Sequence, residues 1–170
     1  MDRPVDVPVE KVFVHEGFEA NIENFRVLNN IALIRLKDPV QFTDLIGPIC
    51  LPMFPDLQLE SQTVKSLEVF GWDLMMQLNG YIPRWPLYEL LESTACNIQD
   101  EKKICIRDSE SYRYRGDVGG PLVYPTQYNG RQRWVQAGIV SFDIGERSLT
   151  EGTDVSDFMG WITETIVKKD

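Results

Sequence analysis

Between Gly116 and Tyr124 the chain reads GDVGGPLVY, three glycines and a proline set ahead of an apolar run. No helix accommodates that stretch, because glycine and proline both oppose helix interiors and glycine takes left-handed backbone readily. It reads as a tight turn feeding a strand. Glycines on either side of one residue hold its side chain out for use. The residue so held is Val118, and its hydrocarbon side chain has no nucleophile to offer and no proton to give.

The remainder repeats a pattern of short strands between breakers. VEKVFVHEGF (9–18) alternates apolar and polar residues and ends in a glycine turn, and IALIRL (31–36) is closed by Asp38-Pro39. NIENFRVLN (21–29) reads as a polar loop, and PVQFTDLIGPICLPMFPDL (39–57), with four prolines, as an extended crossing over a surface. VKSLEVFGW (64–72) reads as a strand, and YIPRWPLYELLEST (81–94) leads through another towards Cys96. PLVYP and RWVQAGIVSF (133–142) read as partners whose connecting loop holds Asn129-Gly130, the pair a left-handed hairpin turn prefers. Ser156 reads as the cap of a final helix with Phe158, Trp161, Ile162 and Ile166 on one face. The acidic stretches CNIQDE (96–101) and TEGTDVSD (150–157) read as solvated loops. Many short strands and one terminal helix make the fold class all-β.

At 170 residues the chain suits one domain, or two small lobes sharing a core. A net charge of −9 works against nucleic acid and against anionic membrane surfaces, both of which reward clustered Lys and Arg. No apolar run approaches the ~20 residues needed to span a bilayer. The opening MDRPVDVPVEKV carries acids and prolines where a signal peptide needs an apolar stretch, so any secretion information lies upstream of it. Cys50, Cys96 and Cys105 are spaced too widely for a zinc knuckle, and His15 is the one histidine. No metal and no cofactor are expected, and the odd cysteine count leaves one thiol over.

Taken in order, these segments resemble the trypsin/chymotrypsin-like (S1) serine protease family. The matching pieces are Asn30-IALIRL with PVQF, PICLP (48–52), VFGW, GDVGGPLV, AGIVSF and the tryptophan-bearing terminal helix. They cover nearly the whole chain. The PICLP cysteine and the form of GPLVY…RWVQAGIVSF look most like the clip-domain branch of arthropod proteases and their inactive homologues. The resemblance implies a chymotrypsin-like double β-barrel. Residues 1–45 would be a remnant of a truncated first barrel, 46–63 an inter-barrel linker, and 64–170 a complete second barrel with its C-terminal helix. It also implies that the segment carrying the catalytic histidine, and the Ile-Val-Gly-Gly type N-terminus, are absent from this chain.

Serine protease chemistry needs an attacking oxygen, a histidine base, a carboxylate that orients the base, and an oxyanion hole. By resemblance the nucleophile position is Val118 and the carboxylate position is Asn30, whose amide cannot stabilise an imidazolium as a carboxylate does. His15 lies in what is a surface turn in relatives. The backbone N–H groups of Gly116 and Val118 would form the oxyanion hole. Asp117, which in relatives pairs with the new N-terminus, would turn to Arg113 or Arg115 or stay solvated, leaving the turn collapsed or mobile. Tyr112 falls at the floor of the specificity pocket, and Ser141, Phe142 and Asp143 replace its usual Ser-Trp-Gly wall.

The cysteines are matched in the same way. Cys96 and Cys105 correspond to the family's small bridge in the second barrel, which would stabilise by roughly 2–3 kcal/mol. Two other family bridges would need Leu67 with Tyr124, and Tyr114 with a later cysteine, so each is missing as a whole pair. Cys50 corresponds to the cysteine that tethers an N-terminal segment, and is read as free or as bound to another chain.

The expectation is a catalytically inactive serine protease homologue, an extracellular binding or regulatory protein of a proteolytic cascade. Its partner would be a protease, a zymogen or a cascade substrate. Two alternatives stand beside it: an endopeptidase fragment whose missing groups lie outside this chain, and an adhesion module acting through Arg115-Gly116-Asp117.

Overall fold

The computed structural model describes residues 5–21, 26–72, 76–77, 80–81, 86–94, 103–107, 118–143 and 149–168. The first elements are β1 (Val9–Val14), β2 (Glu19–Asn21), β3 (Arg26–Leu28), β4 (Ala32–Leu36) and α1 (Pro55–Thr63). Then come β5 (Ser66–Trp72), β6 (Met76–Gln77), β7 (Gly80–Tyr81), β8 (Pro86–Thr94) and β9 (Lys103–Arg107). The chain continues through β10 (Pro121–Tyr128), β11 (Arg131–Asp143), β12 (Leu149–Asp154), a 3₁₀ turn (Ser156–Phe158) and α2 (Met159–Lys168). Among these, no helix is long and apolar enough to cross a membrane.

Six strands close into a barrel in the order β10-β11-β12-β9-β8-β5, with every neighbouring pair antiparallel wherever the pairing is described. Its core is built on Leu67, Val69, Ile106, Leu122, Tyr124 and Val135, all buried. The expected hairpin is present and longer than the sequence suggested, running from Pro121↔Ile139 to Tyr128↔Arg131. Asn129 (φ 50°) and Gly130 (φ 71°) both take left-handed backbone at its tip, the two-residue turn that matches strand twist. A second cluster, Ile31, Val155, Phe158, Met159 and Ile162, seats the terminal helix.

Outside the barrel, β1 and β4 form a two-stranded antiparallel sheet and β2 and β3 another. The two faces of the β1–β4 pair differ. Val12 lies opposite Ile34 and Val14 opposite Ala32, and Val12, Val14, Ile34 and Leu36 are exposed. Phe13 is buried, with the Lys11 Nζ 5.0 Å and the Arg35 guanidinium 5.7 Å from its ring centre, at cation–π distance. Arg35 Nε also meets Glu10 Oε2 at 2.7 Å.

The structure corrects the sequence reading in four places. First, the crossing read as wholly extended contains α1, opened by Pro55, whose fixed φ suits a first helical turn. The density of prolines hid it, and only Leu57 and Ser61 turn inward, too few to set up an apolar period. Second, residues 21–29 are not simply a loop, since β3 pairs there with β2.

Third, TEGTDVSD is not a solvated loop. Most of it is β12, paired with β9 and β11, and Glu151, Thr153 and Asp154 are buried. Packing overrides weak strand propensity here. A Cβ at Gly152 would lie 2.6 Å from Leu122 Cδ1 and 3.1 Å from Ile139 O, so only glycine lets the strands approach. Glu151 in turn meets Lys103 Nζ at 2.6 Å.

Fourth, Ser156 does not cap the helix with its side chain. Asp154 does the work instead: its Oδ1 accepts from Ser156 N at 2.9 Å and from Ser156 Oγ at 2.7 Å. On α2 the inward face is Met159, Ile162 and Thr165, following Phe158, whereas Ile166 is 55% exposed.

Burial raises the Asp154 carboxyl above its ordinary range, against the lowering effect of those two hydrogen bonds. The folded chain therefore holds this proton to higher pH than the unfolded chain does. The stabilising contribution of that proton is fully present below the ordinary carboxylate pKa and is lost as pH rises through the raised folded value. Asp154→Asn keeps an acceptor oxygen for Ser156 and removes the buried charge. Its urea midpoint at pH 7 is expected to equal or exceed that of the wild type, with a flatter pH dependence. Asp154→Ala, which orphans the Ser156 donors, is expected to lose about 1 kcal/mol. A midpoint for Asp154→Asn well below the wild type would contradict the assignment.

Candidate functional site

The site is built around one irregularity in β11. The β11–β12 register shifts between Val140 and Phe142, and Ser141 is the residue at the break. Bulges of this kind re-aim a side chain. The Ser141 hydroxyl accepts a hydrogen bond from Asn30 Nδ2 at 2.8 Å, joining residues far apart in sequence. Ser141, one of the residues expected to line the specificity pocket, thus also contacts Asn30.

Asn30 is held from both sides. Asn29 before it takes left-handed backbone (φ 47°) and its amide donates to Gly17 O at 2.7 Å. Thr153 Oγ1 donates to Asn30 O at 2.9 Å, so β12 fixes the main chain while β11 receives the side chain. The sequence reading missed Thr153, because it treated that stretch as solvent-facing. A carboxylate in the place of Asn30 would accept a hydrogen bond from the Ser141 hydroxyl. The amide donates instead, so the polarity of this contact suits a neutral group.

Val118 opens the turn that precedes β10, and its side chain is 59% exposed. Gly119 follows with φ +91°, a left-handed position that favours glycine. Gly119 N donates to Val140 O at 2.8 Å, and Val140 N donates to Gly120 O at 2.9 Å. The turn is thus pinned to the residue next to Ser141. Val118, Ser141 and Asn30, from three distant parts of the chain, converge on one end of β11.

His15 does not join them with its ring. Its N–H donates to Ile31 O at 3.1 Å, one residue beyond Asn30. Its imidazole Nδ1 accepts from Gly17 N at 3.0 Å, and the ring lies 5.3 Å from that of Phe158 and 5.0 Å from that of Trp161. The imidazole packs on the terminal helix. Trp161 Nε1 donates to Glu16 Oε2 at 2.9 Å, which fixes the same corner.

Phe142 and Asp143 are paired in β11 with Glu151 and Thr150. Tyr112, Cys96, Gly116 and the Arg115-Gly116-Asp117 triplet, with Arg113, lie outside the described residues. Cys105 is buried in β9 and disulfide-bonded. Cys50 is a half-buried free thiol. Its N–H donates to Trp134 O at 3.0 Å and its carbonyl accepts from Gln136 N at 2.9 Å, a parallel bridge to Val135. Among the described residues no group of three or more His, Cys, Asp or Glu is placed to hold a metal ion.

Chemically, the arrangement offers hydrocarbon at the exposed turn and a neutral amide–hydroxyl pair behind it. The Trypsin family matches residues 2–162 of the chain. Serine protease grass of Drosophila melanogaster is 30% identical over 183 aligned residues, covering 95% of this chain and 45% of that protein. CLIP domain-containing serine protease HP8 of Bombyx mori is 31% identical over 176 residues, covering 92% of this chain and 45% of its own length. The crystal structure of the Drosophila Grass clip serine protease of the Toll pathway is similar with a TM-score of 0.76 at 25% identity. That likeness covers 98% of this chain and 49% of the other. The chain therefore spans about half the length of the relatives it matches.

Proposed function

The chain belongs to the trypsin-like serine protease family, and we propose that it is a non-cleaving member that acts by binding. Its place is outside the cell, as a regulator in a proteolytic cascade, and its partner is a protease, a zymogen or a cascade substrate. The roles follow from position. Val118 stands where the nucleophile would be and Asn30 where the orienting carboxylate would be, while the N–H groups of Gly116 and Val118 are vestiges of an oxyanion hole. Tyr112, Ser141, Phe142 and Asp143 form an altered specificity pocket. Residues 1–45 belong to a first lobe, 46–63 to the connection and 64–170 to the second lobe. Cys96 is the bridging partner of Cys105, consistent with Thr94 lying opposite Cys105 at the end of β8.

One observation carries the reading: the exposed side chain at the glycine-flanked turn is that of valine. Removing the nucleophile or the base of a serine protease costs about a millionfold in turnover, and the losses do not add. Restoring one member alone therefore restores little. An activity-directed fluorophosphonate should not label the native chain, and peptide substrates should be cleaved no faster than in its absence. Val118→Ser alone is expected to stay unlabelled, since no imidazole faces Val118 among the described residues. A stable covalent adduct on the native chain would overturn the proposal.

A further inference from the structure

Away from the Asn30–Ser141 pair, neither of which lines it, a half-open cavity of about 300 Å³ lies between the hairpin, the 49–53 segment and α1. Its walls are largely apolar, with Ile49, Leu57 and Val135 among them, and Phe54 and Tyr128 stand with parallel rings 6.4 Å apart. Two of its lining residues carry reactive or charged side chains: Cys50, a half-buried free thiol, and Arg133. No acidic side chain lines it. Glu60, which faces the neighbouring depression, is engaged by the Thr126 hydroxyl at 2.9 Å. Arg133 makes no ion pair among the described residues.

We propose that this cavity binds a small amphipathic carboxylate, an aliphatic or aromatic body in the apolar pocket with its anionic group on Arg133. The size falls at the lower end of small-molecule sites, which combine apolar walls with a few orienting polar groups. A lone cation beside that pocket, on a chain of net charge −9, selects an anion over a neutral or cationic head. Backbone geometry selects a small molecule over an added peptide strand. Thr126 is already paired with Arg133 and Tyr128 with Arg131, and the outer edge of β11 at Val135 is covered by Cys50. An extended peptide would find no free strand edge there.

The Cys50 thiol in the cavity wall reports occupancy directly. Decanoate is expected to slow maleimide modification of Cys50 in the full native chain, saturably, with an apparent Kd on the order of 0.1 mM. Decanol, of equal length and without charge, should protect at least several-fold less well. Arg133→Gln should remove the difference between the two while leaving the unfolding midpoint unchanged, because its side chain is exposed. Phe54→Ala should weaken protection by both. No protection by decanoate, equal protection by decanol in the native chain, or unchanged discrimination in Arg133→Gln would each overturn the proposal. Decanoate bound only to the exposed face of the β1–β4 sheet would leave Cys50 reactivity unaltered and counts as the first of these. None of these readouts depends on whether the chain cleaves peptides.

Discussion

Replacing Lys103 by methionine is expected to destabilise the barrel by about 3–5 kcal/mol, a large part of the total stability of an ordinary domain. The cause is what remains behind. Glu151 is buried in β12, its Oε2 meets Lys103 Nζ at 2.6 Å, and its Oε1 has no hydrogen-bond partner among the described residues. The side chains of the pair are 10% and 5% exposed, so water cannot take over when the ammonium leaves. A lone buried carboxylate costs far more than the intact pair contributes. Replacing both residues, Lys103→Met with Glu151→Leu, is therefore expected to recover most of the loss. Urea unfolding of the two single variants and the double variant checks this. A double variant no more stable than Lys103→Met would sink the explanation.

Phe158→Ala should cost a similar amount, about 3–5 kcal/mol. Phe158 is 2% exposed and belongs, with Ile31, Val155, Met159 and Ile162, to the buried cluster that joins α2 to the rest. Its ring also meets that of His15 edge-on, at an interplanar angle of 86°. The consequence reaches the candidate site, because Ile31 directly follows Asn30. Loss of the ring should loosen the main chain that Thr153 and Asn29 hold, and the amide of His15 should exchange faster. Phe158→Leu keeps most of the volume and is expected to cost less than about 1.5 kcal/mol. If the alanine variant unfolds at the wild-type urea concentration, the cluster does not anchor the helix.

The parts of the fold that were legible in sequence are those where a local signal and the tertiary packing agree. VGGPLVY (118–124), Asn129-Gly130 and AGIVSF announce a turn into a strand, a hairpin tip and a further strand, and all three form. α1 and β12 were illegible for opposite reasons. α1 has almost no apolar period and sits among prolines, whereas β12 is acidic and owes its place to a lysine from another strand and to the space under Gly152. Of the site, Asn30 and Val118 were singled out from their neighbours in sequence. The grip of Thr153 on Asn30, and the assignment of Ser141 to Asn30, depend on a bulge between Val140 and Phe142 that no local pattern signals.

The unlike faces of the β1–β4 sheet fix how those strands can be aligned. A slip of one residue along β1 exchanges which side chains lie on which face. Phe13 would turn out to water together with Lys11, two residues before it on the same strand, and Arg35 on β4 would lose its aromatic partner. Val12 and Val14 would enter a place shaped for one large ring flanked by charge. So short a pairing would otherwise slide easily; a single phenylalanine acts as its alignment pin.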